Sequence, residues 1–188
     1  MVQFARPDSD ISAGGWEPQG SSAETTLWES LDEVTADDGV TYIEALDGEN
    51  ITCEVGLSNI TDPGGNTGYF IRFTMQGTGS GGPERCNIEL FEGATVRADT
   101  GSQTSRAAWG AKSYELTTGE ADAITAFTDL RLKITSSNLG GSEDMWVTQA
   151  FFEVPDVPPS GRLMSSLAGA GGLAGPGGIA GAGGGLAG

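Results

Sequence analysis

The chain has 188 residues, with 26 Asp and Glu against nine Lys and Arg, a formal net charge of −17 and no histidine. So acidic a surface is unsuited to nucleic acid or anionic membranes, because binding to both depends on Lys and Arg. Without histidine there are no Ser-His or Cys-His nucleophile pairs and no His-ligated zinc, and two cysteines cannot form a four-cysteine site. We therefore predict a non-enzymatic protein with no catalytic, cofactor-binding or metal-binding residues, and with neither nucleic acid nor membrane as a partner.

Residues 1–25 show no periodic placement of apolar residues and are rich in Gly and Pro. This composition predicts an extended N-terminal arm, with Trp16 as its anchor. Because flat aromatic side chains dominate interfaces, we expect Trp16 to dock onto a neighbouring subunit. The first residues also lack the apolar core of a secretory signal, so we expect synthesis and assembly in a cytoplasm.

Two short helices are predicted from capping-box patterns. In the first, Thr26 precedes Glu29 by three residues, and apolar residues then follow at helical spacing, which predicts a helix over 26–34. In the second, Thr117 precedes Glu120, which predicts a helix that runs to about Phe127.

From residue 40 onward the apolar residues alternate with polar ones, which is the period of a β-strand. Gly- and Pro-rich turns separate the segments. Many short strands at this spacing predict an antiparallel β-sandwich of jelly-roll type that spans residues 26–154. The predicted strands are 40–46, 50–58, 67–76, 85–92, 94–98, 105–116, 129–136 and 145–154.

The remaining tryptophans and the two cysteines are interpreted from their positions relative to the apolar residues around them. Trp28 fits the apolar stripe of the first helix, and Trp146 is in phase with apolar residues of the last strand, so both are assigned to the core. Trp109 is left open, since an exposed Trp on a jelly roll suits stacking against sugars, as in carbohydrate-binding modules. Cys53 and Cys86 each follow the alternation of their strands, which predicts buried thiols and leaves open whether the two form a disulfide.

Acidic residues are too abundant for any one pair to be singled out. A carboxylate pair for glycoside hydrolysis is not excluded, although a solvated acidic surface is the favoured interpretation. The Asp37-Asp38 pair, or Asp62 with Asn66, has the chemistry to ligate Ca²⁺ in a loop, while ordinary turn residues are the favoured alternative.

Prolines at positions 155, 158 and 159 predict a stiff linker over 155–165, which leads into a Gly-rich tail at 166–188. The tail repeats a unit of six residues. An extended helix with three residues per turn would place glycine on one face and bulkier residues on another, and it leaves backbone groups free to bond other chains. We therefore expect the tail to contact neighbouring chains through Leu167, Gly169, Gly172, Leu173, Gly175, Pro176, Gly178, Ile179 and Gly181.

The tail has alternative interpretations. On composition alone a Gly-rich tract is more often a flexible linker. A membrane span is rejected because the hydropathy is too low, and a collagen helix would need far more proline.

Several segments resemble uncharacterised structural proteins of tailed bacteriophages. The resemblance spans most of the chain, includes no catalytic signature, and implies a virion component with a β-sandwich body. The segments are Arg6-Pro7-Asp8-Ser9-Asp10-Ile11-Ser12-Ala13-Gly14-Gly15-Trp16, Leu27-Trp28 with Asp32-Glu33, Asp37-Asp38, Tyr114-Glu115-Leu116, Thr128-Asp129-Leu130-Arg131-Leu132, and Phe151-Phe152-Glu153-Val154-Pro155.

The favoured functional hypothesis is a phage capsid decoration (cement) or head-fibre protein. We expect it to form a homo-oligomer, with a trimer favoured, that also contacts other virion proteins such as the major capsid protein. A tail-fibre or tail-tip protein is the next hypothesis within this class. The alternative from another class is an adhesin module that binds carbohydrate and recognises a host glycan, and a hydrolase is ranked last.

Overall fold

The computed structural model describes residues 1–45, 50–79, 84–137 and 143–157, and these residues form twelve strands and one short helix. The strands are β1 (Val2–Ala5), β2 (Pro7–Ser12), β3 (Trp16–Gln19), β4 (Tyr42–Ala45), β5 (Ile51–Leu57), β6 (Phe70–Gly77), β7 (Arg85–Glu92), β8 (Thr95–Asp99), β9 (Gln103–Thr104), β10 (Gly110–Glu115), β11 (Leu130–Ser137) and β12 (Met145–Pro155), and the helix α1 is Thr118–Asp122.

The strands form two antiparallel sheets that pack face to face. Sheet 1 has the order β10-β6-β12-β4-β3, with β1 also paired to β12. Sheet 2 has the order β2-β5-β11-β7-β8, with β9 also paired to β7. This confirms the predicted β-sandwich.

The core lies between the sheets and follows from the alternation within each strand. Cys53, Val55 and Leu57 of β5 point inward together, opposite the inward residues of the neighbouring β11, such as Leu132 and Ile134. Each predicted strand from residue 40 onward has a counterpart within a few residues of its expected bounds. The period of two was therefore a reliable guide in this part of the chain.

The predicted N-terminal arm is wrong, because its residues form strands of both sheets. β2 pairs with β5 in sheet 2, and β1 and β3 pair with strands of sheet 1. Trp16 is 2% exposed in the chain's own core, and its Nε1 donates a hydrogen bond to the carbonyl oxygen of Ile51 (3.2 Å). The chain crosses between the sheets at Gly14, where φ is +56° and a Cβ would lie 1.7 Å from the carbonyl oxygen of Thr52. Glycine, which marks a loop in the sequence, serves here to let two strands approach closely.

The predicted helix over 26–34 is also wrong, since this segment consists of turns. The capping contact itself forms, because the Thr26 hydroxyl accepts from the backbone N–H of Glu29 (3.4 Å), and the same hydroxyl donates to the Glu29 carboxylate (2.6 Å). Further along, the carbonyl oxygen of Leu31 accepts a hydrogen bond from the backbone N–H of Ala150 in β12 (3.3 Å). The segment is thus tied to sheet 1, and its own backbone makes a short turn in which the N–H of Asp32 donates to the carbonyl oxygen of Trp28 (3.0 Å).

The second capping box does begin a helix. Thr117 is the N-cap of α1, its hydroxyl accepts from the backbone N–H of Glu120 (3.3 Å), and its own N–H donates back to the Glu120 carboxylate (2.7 Å). The helix ends at Asp122, five residues before the expected end at about Phe127. Among the described residues no helix is long and apolar enough to cross a bilayer.

Both cysteines are buried and free, as the alternation predicted for their thiols. Burial raises the pKa of the Cys86 thiol to about 12 and that of Cys53 well above its ordinary value. The two residues lie on β7 and β5 with β11 between them. Two strand spacings amount to about 9.5 Å, beyond the Cα separation that a disulfide spans. The open question of a disulfide is therefore answered by strand order.

We expect neither cysteine to react with iodoacetamide in the folded chain at neutral pH, because burial both blocks access and suppresses the thiolate. Labelling in urea, where the chain is unfolded, should modify both Cys53 and Cys86, as mass spectrometry would measure. Rapid modification of the native chain would contradict this placement of the thiols.

Candidate functional site

The outer face of sheet 1 carries a row of side chains that crosses five strands. Glu17 of β3 lies opposite Glu44 of β4, and Glu44 lies opposite Trp146 of β12. Trp146 in turn lies opposite Gln76 of β6, and Trp109, just before β10, continues the line. Directly paired residues of antiparallel strands share a face, so these five side chains form a continuous cross-strand row, roughly 19 Å long at the usual strand spacing.

Three aromatic rings form a cluster on this row. The Tyr42 and Trp146 ring centroids are 4.8 Å apart with planes inclined by 33°. The Trp109 ring lies 6.1 Å from that of Trp146 and 5.9 Å from that of Tyr42. All three side chains are half-buried, so part of each ring faces solvent. At this separation and tilt the Tyr42 and Trp146 rings stack with an offset, and the cluster offers to a ligand those parts of the three rings that face solvent.

A β-bulge in β12 places Trp146 in this cluster. The assignment of Trp146 to the core is therefore wrong. The pairing of β12 with β6 shifts register between Val147 and Gln149. The bulge reverses the alternation, so Trp146 points outward even though Phe152, an even number of residues later, points inward. Trp28, the other residue assigned to the core, is half-buried and packs against it.

The row also offers polar atoms. The Trp146 indole donates from Nε1 to Oε1 of Glu44 (2.6 Å), which fixes the ring. Within the described part of the chain, no hydrogen-bond partner is found for Trp109 Nε1, for the Tyr42 hydroxyl or for the Gln76 amide. Donors and acceptors therefore surround the rings and are available to a ligand.

The electrostatic character of this end of the row is negative. Burial raises the pKa of Glu44, which is 9% exposed, and repulsion from Asp144 and Glu17 adds to the effect, while the Trp146 hydrogen bond opposes it. Burial also raises the pKa of the Tyr42 hydroxyl, with further contributions from Glu44 and Asp144. A carboxylate therefore lies at the edge of the Trp146 ring, with other acids close to it.

A groove of about 190 Å³ lies further along the same sheet. The Arg72 guanidinium borders it, held by a two-pronged ion pair with Glu153, by stacking 4.4 Å above the Phe70 ring and by a bond from Nη1 to the Ser113 hydroxyl (3.1 Å). A bidentate pair of this kind fixes the guanidinium in one geometry. The groove is lined by Arg72, Phe73, Thr74, Ala111, Lys112, Ser113, Gln149 and Phe151.

The other acidic residues considered from the sequence accept hydrogen bonds from their own turns and from β12. Asp37 accepts hydrogen bonds from the Thr41 hydroxyl and the Thr148 hydroxyl (both 2.9 Å). Asp62 caps its own turn at Gly64 N (2.7 Å). Among the residues that the structure describes, no group of three or more acidic or cysteine side chains is arranged to hold a metal ion.

Of the residues predicted to mediate assembly, Trp16 alone lies within the described part of the chain. Trp16 is buried in the core. The predicted tail contacts all lie in 166–188, outside the described residues. Sequence reasoning considered Trp109 for stacking against sugars but did not identify Tyr42 or Gln76. These two residues alternate with core residues in their strands and belong to no motif.

No protein-family model and no curated protein matches the chain. Several solved structures are similar to it. The K2 cleaved adhesin domain of Lys-gingipain aligns over 80% of this chain and 97% of its own length, at 13% identity and a TM-score of 0.47. A CBM4 structure aligns over 74% and 94%, at 12% identity and a TM-score of 0.43. The C-terminal CBM6 of the laminarinase LamC from Zobellia galactanivorans aligns over 82% and 99%, at 12% identity and a TM-score of 0.43. A likeness at this level describes the arrangement of strands and says nothing about ligands.

Proposed function

We propose that this chain binds a carbohydrate on the outer face of sheet 1 and acts as a non-catalytic recognition module. The observation that carries the proposal is the cluster of Tyr42, Trp109 and Trp146, half-exposed on one sheet face and surrounded by polar atoms that have no partner among the described residues. A sugar ring has apolar C–H faces and a rim of hydroxyl groups. It therefore needs both an aromatic surface and hydrogen-bonding groups beside it.

The extent of the face favours an oligosaccharide over a single sugar. The cross-strand row is roughly 19 Å long, and the groove beside Arg72 extends the same face toward Phe151. Phe151 and Phe4 form a second aromatic contact there, with ring centroids 5.6 Å apart. A ligand with several units could stack on the three-ring cluster while its hydroxyl groups reach Thr74 and Gln149 in the groove.

The proposed role is binding without catalysis. Glu44 is the acid closest to the rings, and its Oε1 is already bonded to Trp146. Hydrolysis needs one carboxylic acid and one carboxylate on either side of a glycosidic bond. Glu17 and Glu44 lie side by side on the same flat face, so they do not enclose a bond between them.

A glycan array, followed by titration of the intrinsic tryptophan fluorescence with the best oligosaccharides, tests the proposal. We expect a subset of glycans to bind and to change the emission, because two of the four tryptophans lie in the site. An array with no bound glycan would refute carbohydrate binding, and release of shorter sugars during the titration would refute the non-catalytic role.

The virion role stays a prediction. It depends on a tail at 166–188 that lies outside the described residues, and on a sequence resemblance that no comparison tests. The two roles are compatible, since a virion protein with a glycan-binding face would serve attachment to a host surface.

A further inference from the structure

Two carboxylates lie directly opposite each other at the end of the cross-strand row. Glu17 and Glu44 are register partners on adjacent strands, so their side chains share the outer face. Like charges in this arrangement destabilise a sheet. Glu44 is only 9% exposed. Its Oε1 accepts the hydrogen bond from Trp146, and no partner for Oε2 is found among the described residues. The sheet thus carries an unfavourable charge pair beside the aromatic cluster.

Neither carboxylate is neutralised by an ion pair within the described residues. The four salt bridges found there join Arg72 to Glu153, Arg97 to Glu92, Arg131 to Glu54 and Lys133 to Glu89. A chain with few basic residues therefore pairs several of them with carboxylates elsewhere and leaves this corner negative. A group that supplied a positive charge here would relieve the repulsion between Glu17 and Glu44.

The rings beside these acids favour the same kind of group. An ammonium group is attracted to the face of an aromatic ring, most strongly to that of Trp, and the attraction grows when water is excluded. Trp146 joins both features, because its ring belongs to the cluster while its Nε1 is bonded to Glu44. A neutral sugar would use the rings and leave the two carboxylates unpaired.

We infer that the sugar seated on the three-ring cluster carries a protonated amino group, as in a 2-amino-2-deoxyhexose whose nitrogen is not acetylated. This inference rests on the proposed function, because it specifies the sugar that the same face binds. The ammonium group would lie over the exposed part of the rings, within reach of Oε2 of Glu44, and the pyranose would stack on Trp109 and Trp146.

Three β-1,4-linked oligosaccharides of equal length test the inference, because they differ only at the C2 substituent: glucose, N-acetylglucosamine and glucosamine. Calorimetric titration at mildly acidic pH and moderate salt gives the three dissociation constants. We expect the glucosamine chain to bind at least about tenfold tighter than the other two, the ratio that about 1.4 kcal/mol of added cation–π and ionic attraction would give. The preference should shrink as salt is added.

Glu44→Gln is the decisive variant, since it keeps the volume and the acceptor for Trp146 Nε1 but removes the charge. We expect it to lose the preference for glucosamine, to within about twofold of the neutral chains, and to retain their affinity. Glu115→Gln is the matched control, because Glu115 is exposed on the same face at the far end of β10. It measures the unspecific attraction that any polycation has for a chain with a net charge of −17.

The failures of the two proposals can be told apart. Equal or tighter binding of the glucose or N-acetylglucosamine chain would overturn the amino-sugar inference and leave carbohydrate binding intact. An equal loss of affinity in Glu44→Gln and Glu115→Gln would also overturn it, since the attraction would then be unspecific. No binding of any of the three chains, together with an empty glycan array, would overturn both.

Discussion

Replacing Trp109 by alanine should weaken binding of a glycan ligand by about 2 kcal/mol or more, which is roughly 30-fold in Kd, as expected for an aromatic side chain that anchors a ligand. The folded structure should survive the change, because the ring is half-exposed and its Nε1 has no hydrogen-bond partner among the described residues. Fluorescence titration and thermal unfolding of the same preparation would separate the two effects.

Phe91→Ala is the control for this result. Phe91 is a half-buried aromatic residue on the outer face of sheet 2, where Arg131 stacks 5.0 Å from its ring centroid. It should leave glycan affinity unchanged. A similar loss of affinity in both variants would mean that general loosening of the sandwich, and not removal of a stacking ring, accounts for the effect of Trp109→Ala.

Trp146→Phe should also weaken glycan binding, and it should lower stability slightly as well. The phenyl ring keeps part of the aromatic surface but cannot donate to Glu44, and a buried carboxylate that loses a hydrogen bond is costly. The same titration and unfolding measurements apply. A variant with unchanged affinity and unchanged stability would show that Trp146 is peripheral to the site.

Replacing Trp16 by alanine should destabilise the body by about 3–5 kcal/mol, the usual cost of deleting a large aromatic side chain from a core. Trp16 is 2% exposed, and the change also removes its hydrogen bond to Ile51. Since a typical domain is stable by only about 5–15 kcal/mol, the urea midpoint should fall by a large fraction.

A truncated chain that lacks residues 1–19 should lose β1, β2 and β3 and fail to fold cooperatively.

Ile11→Ala serves as the matched control, because Ile11 lies in β2 but is 50% exposed. Its free energy of unfolding should change by no more than about 0.5 kcal/mol, as for most surface substitutions. If the Trp16 variant were as stable as this control, or if the truncated chain folded normally, the N-terminal segment would be a separate arm after all.

The contrast between the N-terminal segment and the rest of the body has a physical reason. From residue 40 onward, strands with one buried face alternate apolar and polar residues, and a short stretch of the sequence is enough to show this pattern. Strand β2 has one buried residue, Pro7, and five exposed ones, so it shows no alternation. Its order comes from pairing with β5, more than forty residues away in the chain.

The same division holds for the candidate site. The strand periods, the buried thiols of Cys53 and Cys86 and the N-cap of α1 at Thr117 all follow from local patterns and could be predicted. The cross-strand row could not, because its members come from strands that are distant in the chain and meet only through register.

The orientation of Trp146 illustrates this limit most clearly. Counting by twos from Phe152 places Trp146 in the core, and only the extra residue between Val147 and Gln149 turns it outward beside Tyr42. A bulge forms where the pairing of a strand with its neighbours is better satisfied with one residue left over, so it has no signature within the strand itself. From residue 40 onward local polarity thus determined where the strands run, while tertiary pairing decided that the N-terminal segment joins the sheets and which aromatic rings face the solvent together.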